Sequence, residues 1–327
     1  MRVVLCTKFG GPELLQVGEI DPPALGAKDI RVAAVAAGVN FLDTAMISGA
    51  YPVQPPLPFV LGGEAAGEVI EVGGAVERFK TGDRVMTLSV PGCFAEQVVV
   101  PETSAQPVPD GMDFESAAGF TIAYGTAYYA LIKRSHLQAD QVLLVLGATG
   151  GTGLAVVEVG RAAGADVIAV GSNDDKLQQA AKQGAAHLIN YEREQIAESV
   201  MKITDGRGAD VIFDGVGGEA FKQALGCIAG GGRLASVGGA SGEILEISVL
   251  SLMAADCDLI GISCGAYAAR DPGAFAEDFE QLASWYGEGK INPHISATFP
   301  LEQVAAALDM LIARKVIGKV VLTMGPE

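Results

Sequence analysis

Histidine, tryptophan and basic residues are scarce in this chain of 327 residues, which holds three His, one Trp and 22 Lys plus Arg against 39 Asp plus Glu. The net charge of −17 opposes nonspecific binding to nucleic acid or to an anionic membrane, because neutralising phosphates requires clustered Lys and Arg. No apolar run reaches bilayer-spanning length, and Met1–Cys6 reads as a first strand rather than a secretory leader, so a cytoplasmic protein is expected. The five cysteines, Cys6, Cys93, Cys227, Cys257 and Cys264, are scattered without the spacing of a zinc ribbon or a disulfide framework. None of His136, His187 and His294 is close to a cysteine in sequence, so a catalytic zinc with the usual nitrogen and sulfur ligands is not expected.

Glycine, by contrast, is abundant, and one cluster of it is informative. The apolar run Val142–Leu146 breaks into Gly147-Ala-Thr-Gly150-Gly151-Thr152-Gly153 and resumes as a helical pattern. A buried parallel strand followed by such a turn lets a pyrophosphate approach the N–H groups of the next helix. The turn alone is a weak signal, but its context is regular. Strands are predicted at Val142–Leu146, Asp166–Val170, His187–Asn190, Asp210–Phe213, Arg233–Val237 and Asp258–Ile262. Between them come helical runs at Gly153–Ala163, Asp174–Gln183, Glu192–Ile203, Glu219–Ala229 and Val249–Ala255. This alternation predicts an α/β fold, a Rossmann-type doubly wound parallel sheet with its ligand at the carboxyl ends of the strands.

The chain is longer than one nucleotide-binding core needs, so a second domain is expected. The region before Val142 carries short alternating runs, such as Ile30–Ala37, Ala65–Val72 and Ala95–Val100, punctuated by Pro and Gly. That pattern predicts a small, mostly β domain.

Several motifs give the chain a family likeness. Gly38-Val-Asn40-Phe-Leu-Asp43 runs on to Tyr51, and Pro58-Phe-Val-Leu-Gly62-Gly63-Glu64 follows. Further on come Gly125-Thr126-Ala127, the glycine turn, Asp214-Gly-Val216-Gly217-Gly218 and Gly318-Lys-Val-Val-Leu. Together they resemble the zinc-independent NADPH:quinone oxidoreductases, the zeta-crystallin-like family of the medium-chain dehydrogenase/reductase superfamily. The resemblance covers nearly the whole chain. Zinc-dependent relatives carry a Cys where this chain has Asn40 and a His where it has Gly63.

The resemblance implies a GroES-like, mostly β catalytic domain formed by residues 1–121 and 265–327, with the Rossmann domain at 122–264 and the active cleft between the two. It implies NADPH as cofactor, a small-molecule quinone or enone as acceptor, and a homodimer. Without a metal to polarise an alcohol, hydride delivery to an already electron-poor acceptor remains the accessible chemistry. Two other roles stay open: an NADPH-binding structural or regulatory protein, and an enoyl-thioester reductase.

The cofactor residues follow from the sheet and from the family together. Gly147, Gly150, Gly151, Thr152 and Gly153 cradle the pyrophosphate. At the end of the second strand the sequence has Gly171 where an NAD-binding chain has an acid, and Ser172 and Lys176 can meet a 2′-phosphate. Asp174 and Asp175 are first-turn residues of the next helix, capped by Ser172 or Asn173. Tyr191 matches a family position that flanks the phosphate, or is a strand-end aromatic. Val216, Val237, Gly238 and Gly239, and Ile262, Ser263 and Cys264, follow later strands where the nicotinamide is expected to lie.

Asn40 and Thr126 match positions near the nicotinamide. Their structural alternatives are an Asx turn for Asn40 and a helix cap for Thr126. Tyr51 is the candidate proton donor, or an orienting or purely structural group. Ala45 and Ile47 are apolar where many relatives carry Tyr and Arg, and Cys264 replaces a common aromatic, which implies a roomier or more apolar pocket. The Tyr-x-x-x-Lys spacings at Tyr129–Lys133 and Tyr286–Lys290 lack the context of short-chain dehydrogenases.

Overall fold

The computed structural model describes residues 1–51, 53–243 and 246–325. The chain divides into two compact units. The first combines Met1–Ile122, Gly265–Ala283 and Pro293–Glu327, and the second combines Ala123–Cys264 and Ser284–Asn292.

In the second unit six parallel strands form one sheet. Their spatial order is His187–Asn190, Asp166–Gly171, Val142–Leu146, Ala209–Asp214, Ile228–Ser236 and Cys257–Gly261. The strand order reverses between Val142–Leu146 and Ala209–Asp214, which is the switch point where a doubly wound sheet opens its ligand crevice. Every residue of Val142–Leu146 is buried, as a parallel strand covered on both faces requires. Connecting helices occupy Gly151–Ala162, Asp174–Lys182, Ile196–Ile203, Gly218–Leu225 and Val249–Ala255.

Three boundaries differ from the sequence expectation by four residues or more, among them the helix expected to reach Ala229, which ends at Leu225, with Ile228 and Ala229 in the next strand. The helix predicted from Glu192 begins at Ile196, because the N–H groups of Arg193 and Glu194 both donate to Asn190 O (3.0 Å each) and close a turn first. The fifth strand begins at Ile228 rather than Arg233. Gly230, Gly231 and Gly232 conceal its start, and they lie beside a register irregularity between Ala209 and Val211.

The first unit is built on a seven-stranded sheet. Its long central strand, Asp29–Val39, pairs with Lys319–Thr323, Glu64–Val72 and Gln97–Pro101. A smaller sheet joins Gln16–Glu19, Arg2–Cys6 and Phe59–Val60. Registers here position chemistry: Gly38 faces Glu64 and Val39 faces Val320, so Asn40, Glu64 and Lys319 converge at one end of the sheet. Among the described residues, no helix is long and apolar enough to cross a membrane.

Candidate cofactor and active-site residues

The glycine turn divides its labour. Gly147 has φ +71°, a conformation that side chains avoid, and a Cβ on it would lie 2.8 Å from Val216 Cγ2. A Cβ on Gly153 would lie 2.1 Å from Gly147 O, so this glycine is demanded by close helix–strand packing. Gly150 differs. It is the N-cap of Gly151–Ala162, offers no side-chain cap, and a Cβ there would meet only Gly147 O at 3.7 Å. The protein's own packing therefore leaves space in front of the first-turn N–H groups of Gly151, Thr152 and Gly153, a fit for a pyrophosphate.

At the end of the second strand, Gly171 is buried, and a Cβ on it would lie 3.1 Å from Leu177 Cδ2 and 3.3 Å from Thr149 Cγ2. An acid at this position would be crowded as well as repulsive to a 2′-phosphate. Asn173 is the N-cap of the next helix and accepts from the Lys176 N–H (3.0 Å), while Ser172 is exposed. Partial burial draws the Lys176 ammonium below its usual range. Tyr191 is exposed and its N–H donates to Gly171 O (3.1 Å), which holds it beside the strand end.

Sequence reasoning missed two residues here. Asn190 Nδ2 donates to Asp174 Oδ1 (2.7 Å), and the Arg193 guanidinium pairs with Asp174 Oδ2. The bond from Asn190 and the charge of Arg193 hold the Asp174 carboxyl below its ordinary range. Asp214, in the Asp-Gly-Val-Gly-Gly motif, ends the fourth strand. Its Oδ1 accepts from the Val216 and Gly217 N–H groups (2.9 and 2.8 Å), whereas its buried Oδ2 has no partner among the described residues. Burial raises its pKa, and the two N–H groups oppose that rise. Val237, Gly238 and Gly239 follow the fifth strand, and a Cβ on Gly238 would meet open space. Ile262, Ser263 and Cys264 follow the sixth, with Cys264 opening a helix.

In the first unit Asn40 starts the helix Phe41–Ser48. Its N–H donates to Asp43 Oδ2 (2.7 Å) and its carbonyl accepts from the Asp43 N–H (3.1 Å). Its side chain is fully engaged. Nδ2 donates to Gly38 O (3.1 Å) and Glu64 Oε1 (2.9 Å), and Oδ1 accepts from Lys319 Nζ (2.7 Å). Lys319 Nζ also donates to Glu64 Oε1 (2.8 Å) and Val39 O (3.2 Å), and Glu64 Oε2 accepts from the Ile122 N–H (2.7 Å). The Lys319–Glu64 pair is almost wholly buried. A burial-driven rise takes Asp43 to about 7, partly offset by the Asn40 N–H and by Lys319, and its Oδ1 is unpartnered among the described residues.

These residues do not fit a zinc ion. Asn40 spends its amide on Glu64, Gly38 and Lys319, and a Cβ on Gly63 would meet the apolar atoms Ile122 Cδ1 (3.0 Å), Val90 Cγ2 (3.3 Å) and Leu42 Cδ2 (3.6 Å). Among the described residues, no three His, Cys, Asp or Glu side chains gather as a metal-binding group. Thr126 is buried inside the helix Thr121–Tyr128, so the cap reading for it is wrong: the helix starts five residues earlier. Tyr51 is half-buried and packs against the apolar core of its unit.

Two known domain families match parts of the chain. Residues 26–110 match the alcohol dehydrogenase GroES-like domain, and residues 151–286 match the zinc-binding dehydrogenase domain. The chain is 40% identical over 324 residues to a quinone oxidoreductase-like protein 2 homolog of Nematostella vectensis, covering 98% of this chain and 88% of that protein. It is 35% identical over 323 residues to a quinone oxidoreductase of Pseudomonas aeruginosa, covering 96% and 97%. Among solved structures, Escherichia coli quinone oxidoreductase complexed with NADPH superposes with a TM-score of 0.93 at 32% identity, covering 99% of this chain and 100% of that one.

Proposed function

The chain belongs to the quinone oxidoreductase family of the medium-chain dehydrogenases/reductases, and from that premise we propose that it is a zinc-independent, NADPH-dependent reductase of quinones or α,β-unsaturated carbonyls. The observation that carries this reading is the state of Asn40 and Gly63. Where zinc-dependent relatives place two ligands, one residue is locked in a hydrogen-bond network and the other faces apolar side chains. Without zinc ligands at these two positions, an acceptor that is electron-poor before it binds suits the reading best.

Gly150, Gly151, Thr152 and Gly153 would hold the pyrophosphate against a helix N-terminus. Ser172, Lys176 and Tyr191 would flank the 2′-phosphate. Asn40, Thr126, Val216, Val237, Gly238, Gly239, Ile262, Ser263 and Cys264 would line the nicotinamide and its ribose. When bound, the reduced nicotinamide supplies the hydride, and the protein orients it and excludes water. The proton that completes the reduction comes from Tyr51 or from solvent.

A homodimer and a cytoplasmic location belong to the same proposal. Val249, Leu250 and Met253 are each about 70% exposed on a helix beside the edge strand Cys257–Gly261, an apolar edge that a second copy of this chain would cover. Three buried free thiols, Cys6, Cys93 and Cys227, suit a reducing compartment. The test of the activity is NADPH consumption by purified protein over a panel of small quinones and enones. Turnover of at least one class supports the reading, whereas NADPH binding without any turnover overturns it in favour of a non-enzymatic role.

A further inference from the structure

The end of the second strand carries a charge problem that the glycine at 171 does not solve. Asp174, Asp175, Glu192 and Glu194 stand within a few residues of the strand ends, against Lys176 and Arg193 alone. On balance this neighbourhood is acidic, and an acidic neighbourhood rejects a 2′-phosphate.

The geometry distributes those charges. Gly171 and Asn190 are register partners at the carboxyl ends of adjacent strands, so Asn190, Tyr191 and Arg193 belong to the rim where a nucleotide's ribose is read. Asn190 occupies Asp174 Oδ1, and the Arg193 guanidinium occupies Oδ2. Each oxygen that could accept a ribose hydroxyl thus already has a donor, and the nearest carboxylate is paired with a cation. Glu194 is turned onto Ser199 Oγ (3.1 Å) and the Asn190 N–H (3.4 Å). Beside the pair lies a cavity of about 350 Å³, lined in part by Asp174, Leu177, Leu188, Asn190 and Arg193.

We propose that Arg193 is the specificity-determining residue for the 2′-phosphate. In the free protein it cancels Asp174. With NADPH bound its guanidinium turns to the phosphate as a charge-assisted partner, while Asn190 keeps hold of Asp174. The Arg193 side chain is 63% exposed and the Asp174 side chain 52%, so the exchange moves a solvated side chain and disturbs no core. This inference rests on the NADPH reading above and adds the residue that enforces it.

Calorimetric titration of the whole protein with NADPH and with NADH tests it without reference to turnover. R193A weakens NADPH binding by about 10- to 100-fold, the worth of a lost charge-assisted contact, and leaves NADH within about twofold. R193K retains part of the preference, and D174N tightens NADPH by a few-fold because the competing carboxylate is gone. The proposal is overturned if R193A changes both cofactors equally or neither, or if D174N weakens NADPH. Should R193A not fold, the R193K and D174N titrations decide on the same terms. Wild-type protein that binds neither cofactor, or prefers NADH, is a different failure: it removes the NADPH reading itself.

Discussion

Lys319 Nζ donates to Asn40 Oδ1 at 2.7 Å, and that contact fixes which way the Asn40 amide is turned. An ammonium can only donate, while the Glu64 carboxylate and Gly38 carbonyl at the other end can only accept. A flipped amide would set donor against donor at Lys319 and acceptor against acceptor at Glu64 and Gly38. The capacity left to Asn40 is one oxygen lone pair, so any ligand it contacts must present a donor, such as the NH2 of a carboxamide.

Breaking this network is costly. K319M strands Glu64 as a buried uncompensated charge and lowers stability by about 3–5 kcal/mol. K319M/E64Q removes both charges and recovers part of that loss. Urea denaturation of the two variants checks the order, and equal stability of K319M and wild type would contradict it.

The buried acids set a pH dependence. Asp43 and Glu158 are both raised to about 7, each chiefly by burial, so their folded-state pKa values lie above the unfolded ones. The folded protein binds those protons more tightly. Their contribution is therefore full below about pH 4 and is lost as pH rises toward 7. D43N removes one such group, and it gains on the order of 2 kcal/mol over wild type at pH 8 but not at pH 4. Thermal melts at the two values measure the difference.

Gly150 separates cofactor binding from packing. Its φ of −81° and ψ of 175° suit any residue, and its Cβ position is free of close contacts within the protein. G150A should melt within a few degrees of wild type. Its affinity for NADPH should fall at least tenfold if a pyrophosphate needs that space. G153A, whose Cβ would strike Gly147 O, should lose stability as well.

The apolar helix beside the sheet edge predicts the oligomeric state. Sedimentation of wild-type protein should give a dimer, and L250D/M253D should shift it toward the monomer with the sheet intact. A monomeric wild type would remove the proposed interface.

Much of the second unit was legible because its signals are local. The run Val142–Leu146, the glycine turn and the capped helix from Asp174 are each written in consecutive residues, and the structure has them at nearly those bounds. The charge pairs were not legible. Arg193 reaches Asp174 across 19 positions and Lys319 reaches Glu64 across 255, so only strand pairing brings them together. Lys319 was hidden for a further reason: a lysine in an apolar strand reads as surface until its partners are known. The structural alternative for Thr126, a helix cap, fails because the helix around it begins five residues earlier, at Thr121.

Metal-free hydride transfer from NADPH can be assayed on the purified protein. Protein treated with a strong chelator and exchanged into metal-free buffer is given NADPH and the best quinone or enone of the panel, with cofactor oxidation followed by absorbance. The rate should be undiminished, with no stimulation by added zinc. Loss of activity on chelation, restored by zinc, would contradict it.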